Sequence, residues 1–526
     1  MRDARNAGRP VPDRHPAPDA TMPFPLLYEI NTRCWLDRLS TEECRGVTLD
    51  SVPESEFERW RQFGFTHIWL MGVWTTGPRN RDSALAWEDL HGEFRKAMPD
   101  LRREDITGSP YAIADYRVPD TLGGETGLES FRQRLHERGM KLILDFVPNH
   151  VGLDHRWVAE RPDLFVQSPV EAPGTFAQRT PEGVRWLAHG KDPHFPPWSD
   201  TAQLDYRQPA TRAAMRENLL GVAGRCDGLR CDMAMLVLNE VFAKTWAPFP
   251  PAAAREAAPT AGPDVGQPPV EFWQEAIVST KKRYPDCLFL AEVYWGLEER
   301  LRLLGFDYTY DKELYDALVR RNPAGVQRHL LEATPESIGT GAHFLENHDE
   351  PRIASILSPA EQRAAALTIL SLPGMRFLHD GQLEGARVKV PVQLRRCPPE
   401  PVRNEVERMY RRMLAALRQT AVGRGEALLL KPRAAWAGNP TSENFVIVQW
   451  RDTTPEFDLA VVNLAPHPSQ CYAPVRLDDF ADRTWILKDR LGSETHTCPG
   501  RELQDRGLYL DLPANGTQLF HFHPLS

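Results

Sequence analysis

The sequence predicts an α/β chain: a (β/α)8 TIM barrel, a short insert after its third strand, and a C-terminal antiparallel β-sandwich domain. Three observations predict it. From Leu26 to about Gly423, amphipathic helical stretches alternate with short apolar runs. Four of those runs close on an acidic residue or an Asn-His pair. After about Gly425, strands follow one another with no helical pattern between them. The expected layout is a disordered tail over residues 1–22, a barrel built from 23–150 and 204–423, a subdomain at 151–203, and a sandwich at 424–526.

The elements follow in order. Residues 24–30 form the first apolar run. Residues 55–63 read as a helix stopped by Gly64, and 66–71 as the second strand. Residues 128–138 place Phe131 and Leu135 on one helical face, stop at Gly139 and lead into the strand at 141–147. The helices at 211–222 and 271–283 precede strands at 228–231 and 288–291. A sixth strand falls near 306–310 and a seventh over 342–345, and a helix at 361–371 leads into the eighth strand at 375–378. Two segments show neither period. Residues 151–203 are rich in Pro, His, Asp and Trp, as a functional loop or small subdomain would be. Residues 247–269 are Ala/Pro-rich and read as a surface insert. In the last domain, 444–450, 458–464 and 516–523 are strands.

The bulk properties narrow the function. A chain of 526 residues expects two or three domains, and 41% hydrophobic content is ordinary for a globular protein. The formal charge of −9, from 63 basic and 72 acidic residues, argues against nucleic acid or an anionic membrane as partner and suits a neutral substrate. The eight cysteines form no CxxC pair, so zinc is not expected. No run is apolar enough to span a bilayer, and residues 1–22 lack the apolar core of a secretion signal; the expected compartment is the cytoplasm.

The chemistry lies at the strand ends. An apolar run ending in a carboxylate conflicts with burial, and barrel enzymes accept that conflict at the rim that holds their active sites. Arg230 and Asp232 are two apart on one strand, so their side chains share a face. A guanidinium there holds the carboxylate ionised and oriented, although a buried structural pair explains the same spacing. Glu292 caps the apolar run 287–291, an environment that favours a proton-holding acid. Asn347 and His348 precede Asp349 and can bind hydroxyls; alone, they also fit a turn. Asp145 points inward toward Arg230, and His150 follows at its strand's end. Tyr111 is a loop aromatic suited to stacking under a sugar ring, with Trp74, Trp186, Trp198 and Trp295 as further stacking candidates. Two carboxyls facing one mouth suit glycosidic cleavage.

Taken jointly, Asp145-x-x-x-Asn149-His150, Gly228-x-Arg230-x-Asp232, the strand-end Glu292 and Asn347-His348-Asp349 resemble the signature regions of the α-amylase superfamily of glycoside hydrolases. The likeness runs from about Tyr28 to Gln382. Leu204-Asp205-Tyr206 resembles the family's further motif near the end of its insert. The resemblance implies Asp232 as nucleophile, Glu292 as acid/base and Asp349 as transition-state stabiliser. It implies that Arg230, His150, His348 and Asp145 hold the sugar in the cleaved subsite and that Tyr111 stacks on it. The implied substrate is an α-linked oligosaccharide or glucan, cleaved by hydrolysis or passed to another sugar by the same groups. A non-catalytic family member acting as a binding subunit is the remaining alternative. No cofactor is required for this chemistry. Asn149 matches a common calcium ligand of the family, but the Lys-His pair that many members carry after the nucleophile is replaced by the apolar residues 233–237. The aromatic pair Tyr294 and Trp295 is placed to shape the acceptor side, and the Arg- and Pro-rich residues 387–403 read as a solvated loop.

Overall fold

The computed structural model describes residues 23–181, 183–249, 270–476 and 481–525. The tail expected at 1–22 and nearly all of the 247–269 insert lie outside them. Eight parallel strands close a barrel: β1 (Leu26–Asn31), β2 (His67–Met71), β3 (Lys141–Phe146), β4 (Gly228–Cys231), β5 (Leu288–Ala291), β6 (Tyr308–Tyr310), β7 (Gly341–His343) and β8 (Met375–His379). β1 closes the ring between β8 and β2, pairing Leu26 with Arg376 and Leu27 with His67.

Alternation along the strands sorts the side chains. Leu26, Tyr28 and Ile30 of β1 join the large core between strands and helices, while Leu27 joins the inner core with Trp69, Met71, Ile143, Leu290, Tyr310 and Phe377. The same parity carries Glu29, Asp145, Arg230, Asp232 and Glu292 to the inner side at the C-terminal ends. Register completes the placement: Arg230 lies opposite Asp145 on β3 and Leu290 on β5.

Three segments depart from the sequence reading. The seventh strand is shorter than 342–345 and ends at His343, and the following residues turn into the mouth. The insert 151–203, expected as a functional loop or a small subdomain, contains regular strands. It carries a three-stranded antiparallel sheet, with Gln167–Ser168 and Thr175–Thr180 flanking Gly183–Ala188, and Thr201–Gln203 pairs back on His150–Gly152. A second excursion, after β2, was not anticipated. Its helices Pro78–Ala86 and Glu88–Ala97 bury Ala84, Phe94, Met98 and Ile106 against Leu394. That contact also corrects the reading of 387–403 as solvated. Arg396 pairs with Asp105 at 2.9 Å and Asp100 at 3.0 Å, and Arg395 pairs with Asp37 at 2.8 Å.

The C-terminal region is two packed antiparallel sheets, one of six strands and one of three. Strand Phe445–Arg451 shows why it sits firmly on the barrel. Phe445 and Ile447 face the sandwich core, whereas Val446, Val448 and Trp450 join the barrel's core. Trp450 donates its indole N–H to the Ser371 carbonyl at 2.7 Å. No helix among the described residues is long and apolar enough to cross a membrane.

Candidate active site

Arg230 organises the mouth. It is fully buried, so its charge needs full compensation. Nη1 donates to Asp232 Oδ1 at 2.6 Å and Nη2 to Glu292 Oε2 at 2.7 Å, while Nε reaches the Tyr310 hydroxyl at 3.3 Å. Its plane lies among the rings of Trp69, Tyr111 and Tyr310, 5.2, 5.3 and 5.8 Å from their centroids. One fork thus fixes two carboxylates side by side.

Each carboxylate has its own surroundings. Burial and the nearby Glu292 charge push the Asp232 carboxyl up to about 7, against the pull of Arg230. Glu292 accepts at Oε2 from the Met233 backbone N–H at 2.7 Å and at Oε1 from the Tyr294 hydroxyl at 2.8 Å. Met233 itself adopts the left-handed conformation, φ 41°. Asp145 is less intimate with Arg230 than the sequence suggested, at 3.8 Å. Its oxygens accept instead from the Gly72 N–H at 2.9 Å and the Trp69 indole at 3.2 Å, and burial raises it to about 6.

Asp349 lies on the loop after β7. Its carboxylate meets His348 Nε2 at 3.0 Å and is 48% exposed, the most open of the three acids. Burial within the walls of the mouth would raise it, but the His348 charge holds it well below the usual carboxylate range. Asn347 shapes the loop: its side-chain oxygen accepts from the Asp349 and Glu350 N–H groups, both at 2.9 Å. Tyr111 stacks on His348 with ring centroids 5.4 Å apart, and its hydroxyl lies 2.8 Å from Nε2. His150 is buried and pushed down to about 4 by that burial, so its imidazole is neutral. It packs against Trp198 at 5.2 Å. Gly152 lets this strand approach, since a Cβ there would sit 2.4 Å from the Ala112 carbonyl oxygen.

The structure therefore gathers Asp232, Glu292, Arg230, Asp145, Tyr111, His348 and Asp349 in one mouth, with His150 at its edge. Trp74 is core: it is buried, and its indole donates to the Asp145 carbonyl at 2.8 Å. Trp295 is 44% exposed, left-handed at φ 67°, and in edge contact with His194 of the insert at 4.9 Å. Three participants escaped sequence reading: Glu29, Tyr294 as a donor to Glu292, and the Met233 N–H. Only Glu29 carried a signal, as an acid inside an apolar first strand.

Asn149, the position that matches a calcium ligand of the family, is hydrogen-bonded to the insert. Its side-chain oxygen and its carbonyl both accept from Gln203 Nε2, at 3.0 and 2.9 Å. No group of three or more His, Cys, Asp or Glu that could hold a metal occurs among the described residues.

A closed (β/α)8 barrel with carboxylates, a guanidinium and imidazoles at its C-terminal mouth, followed by an antiparallel sandwich, defines the class of the chain by fold. The chain belongs to the α-amylase family: the model of the alpha amylase catalytic domain matches residues 56–390, more than half of the sequence. Among curated relatives, it is 26% identical over 285 residues to alpha-amylase MalA of Haloarcula japonica, covering 53% of this chain and 36% of that protein. It is 24% identical over 314 residues to the alpha-1,4-glucan:maltose-1-phosphate maltosyltransferase of Bifidobacterium animalis subsp. lactis, covering 58% and 34%. The matches span about a third to a half of the curated relatives' lengths. An α-amylase structure from Lactobacillus plantarum shares the fold with TM-score 0.64 at 21% identity, over 95% of this chain and 99% of that one.

Proposed function

We propose that this chain is a retaining, α-glucan-active glycoside hydrolase working by double displacement. The observation that carries the proposal is the single Arg230 guanidinium bridging Asp232 and Glu292 at 2.6 and 2.7 Å. Two carboxyls held on neighbouring arms of one fork are close neighbours, which favours the shorter spacing of a nucleophile and an acid/base over the wider spacing of an inverting pair.

Asp232 attacks the anomeric carbon as Glu292 gives its proton to the departing glycosidic oxygen. The bond to the leaving sugar breaks and a glycosyl ester forms on Asp232. Esterification removes the negative charge beside Glu292, which then takes a proton from the incoming water as the ester is displaced. Asp349, the most exposed acid of the mouth, hydrogen-bonds hydroxyls of the distorted sugar, and His348 and His150 bind alongside it. Tyr111 supplies the stacking face. No cofactor enters these steps.

Glycosyl transfer is the second reading, because a sugar in place of water completes the same cycle. The exposed Trp295 ring favours it, offering an acceptor a platform beside Glu292. The full set of three acids and Arg230 speaks against a purely binding role. The test is product analysis by NMR with maltooligosaccharides, isomaltose, trehalose and sucrose, for wild type and Asp232→Asn. The expected result is α-anomer released first and an inactive variant. Release of β-anomer first, or an active variant, overturns the proposal. The share of longer products separates transfer from hydrolysis.

A further inference from the structure

Glu29 is an acid of the mouth that the mechanism above leaves unused. It sits on β1 with its side chain wholly inside the barrel. One oxygen, Oε1, binds His348 Nδ1. The other, Oε2, is buried without a hydrogen-bond partner. A buried carboxylate with an idle oxygen is costly, and such a group persists where something else requires it. Here the requirement is visible. His348 has Glu29 on one ring nitrogen, and Asp349 and the Tyr111 hydroxyl on the other, at 3.0 and 2.8 Å.

We propose that Glu29 is a positioning residue: it fixes the ring orientation and positive charge of His348, and through that ring it holds Asp349 and Tyr111 in place for the sugar. The imidazole lies edge-on to Trp69 at 5.6 Å and flat against Tyr111, so packing sets its plane. Packing alone does not choose which nitrogen faces the mouth. Glu29 does, because it is the acceptor bound at Nδ1. A cationic ring between two carboxylates is compensated on both sides, which is the arrangement that allows it to stay charged when buried. Burial alone would depress His348; Asp349 and Glu29 together hold it well above the usual imidazole range. The other titratable groups facing the pair are Asp145 from β3 and Tyr310 from β6 on the Glu29 side, and Tyr111, backed by Arg230, on the His348 side. Lys389, at the rim, donates to the Asp349 carbonyl.

The catalytic consequence rests on the glycosidase reading; the effect on His348 does not. The experiment compares wild type, Glu29→Gln, His348→Gln and the double variant. Histidine Cε1 resonances are followed by NMR through a pH titration, with His348→Gln as the assignment control. In Glu29→Gln the His348 midpoint falls by about one pH unit or more. On maltooligosaccharides, Glu29→Gln lowers kcat/KM by about 10- to 100-fold, moves its pH profile, and costs little further in the His348→Gln background. An unchanged His348 titration overturns the proposal, as does an equal loss in both backgrounds, which marks a role in folding alone. If wild type turns over no glucan, the glycosidase reading fails and the titration still decides the role of Glu29.

Discussion

Asp232→Asn is expected to abolish activity and yet stabilise the fold, with a gain that depends on pH. In the folded protein this carboxyl is raised from 3.8 to about 7, chiefly by burial. The native state therefore binds that proton more tightly than the unfolded chain. Ionising Asp232 costs stability progressively as pH rises from about 4 to about 7, and the cost is complete above that range. At 1.36 kcal/mol for each pH unit, the full penalty is about 4 kcal/mol. Asparagine mimics the protonated form and removes it. The amide compensates the Arg230 charge less well than the carboxylate does, so we expect roughly half to be recovered, about 2 kcal/mol, or a rise in Tm of about 2–5 °C at about pH 8. At about pH 4 the folded carboxyl is protonated and the unfolded one only about half ionised, so most of the gain disappears. Thermal unfolding of both proteins at the two pH values, with kcat/KM measured on a maltooligosaccharide, is the assay. An equal change in Tm at both pH values, or a loss at the higher one, refutes the electrostatic reasoning. Retained turnover refutes the role of the residue.

Glu292→Gln removes the negative neighbour that helps raise Asp232, so with an α-glucosyl fluoride, whose leaving group needs no acid, the acidic limb of kcat/KM shifts to lower pH; a limb that stays put separates the two groups. Trp295→Ala is expected to lower the ratio of transfer to hydrolysis products severalfold, while Trp295→Gly, suited to φ 67°, raises stability by about 1 kcal/mol in denaturant titration. Asp311 accepts from His329 at 3.0 Å and His343 at 2.9 Å. Burial alone would raise it, but these imidazoles hold it well below the usual range, so its contribution is present above about pH 4 and lost as pH falls through its folded value. Asp311→Asn should cost about 2 kcal/mol at neutral pH in denaturant titration and little under strong acid.

How much of this was legible in the sequence depends on whether a local rule decided the outcome. Arg230 and Asp232 were readable because a strand has period two, and Glu292 because it caps an apolar run. Glu29 obeys that rule as well, inside Leu27-Tyr28-Glu29-Ile30, but its meaning lies in His348, more than three hundred residues away. Tyr294 and Met233 act through a hydroxyl direction and a backbone N–H, which no spacing reveals. The hairpin strands Thr175–Thr180 and Gly183–Ala188 stayed hidden because most of their side chains are only partly buried, so no clear apolar face marks them. The segment 387–403 looked solvated because its arginines are paired with Asp37, Asp100 and Asp105 only once the barrel closes.

The most direct test of the central claim is trapping the covalent intermediate. The protein is incubated with a fluorinated α-glucosyl fluoride that forms the glycosyl ester but hydrolyses slowly, then digested and sequenced by mass spectrometry. The account predicts one added glycosyl unit on the peptide that carries Asp232, and none in Asp232→Asn. A label on Glu292 or Asp349, or inversion at the anomeric carbon with no label at all, contradicts it.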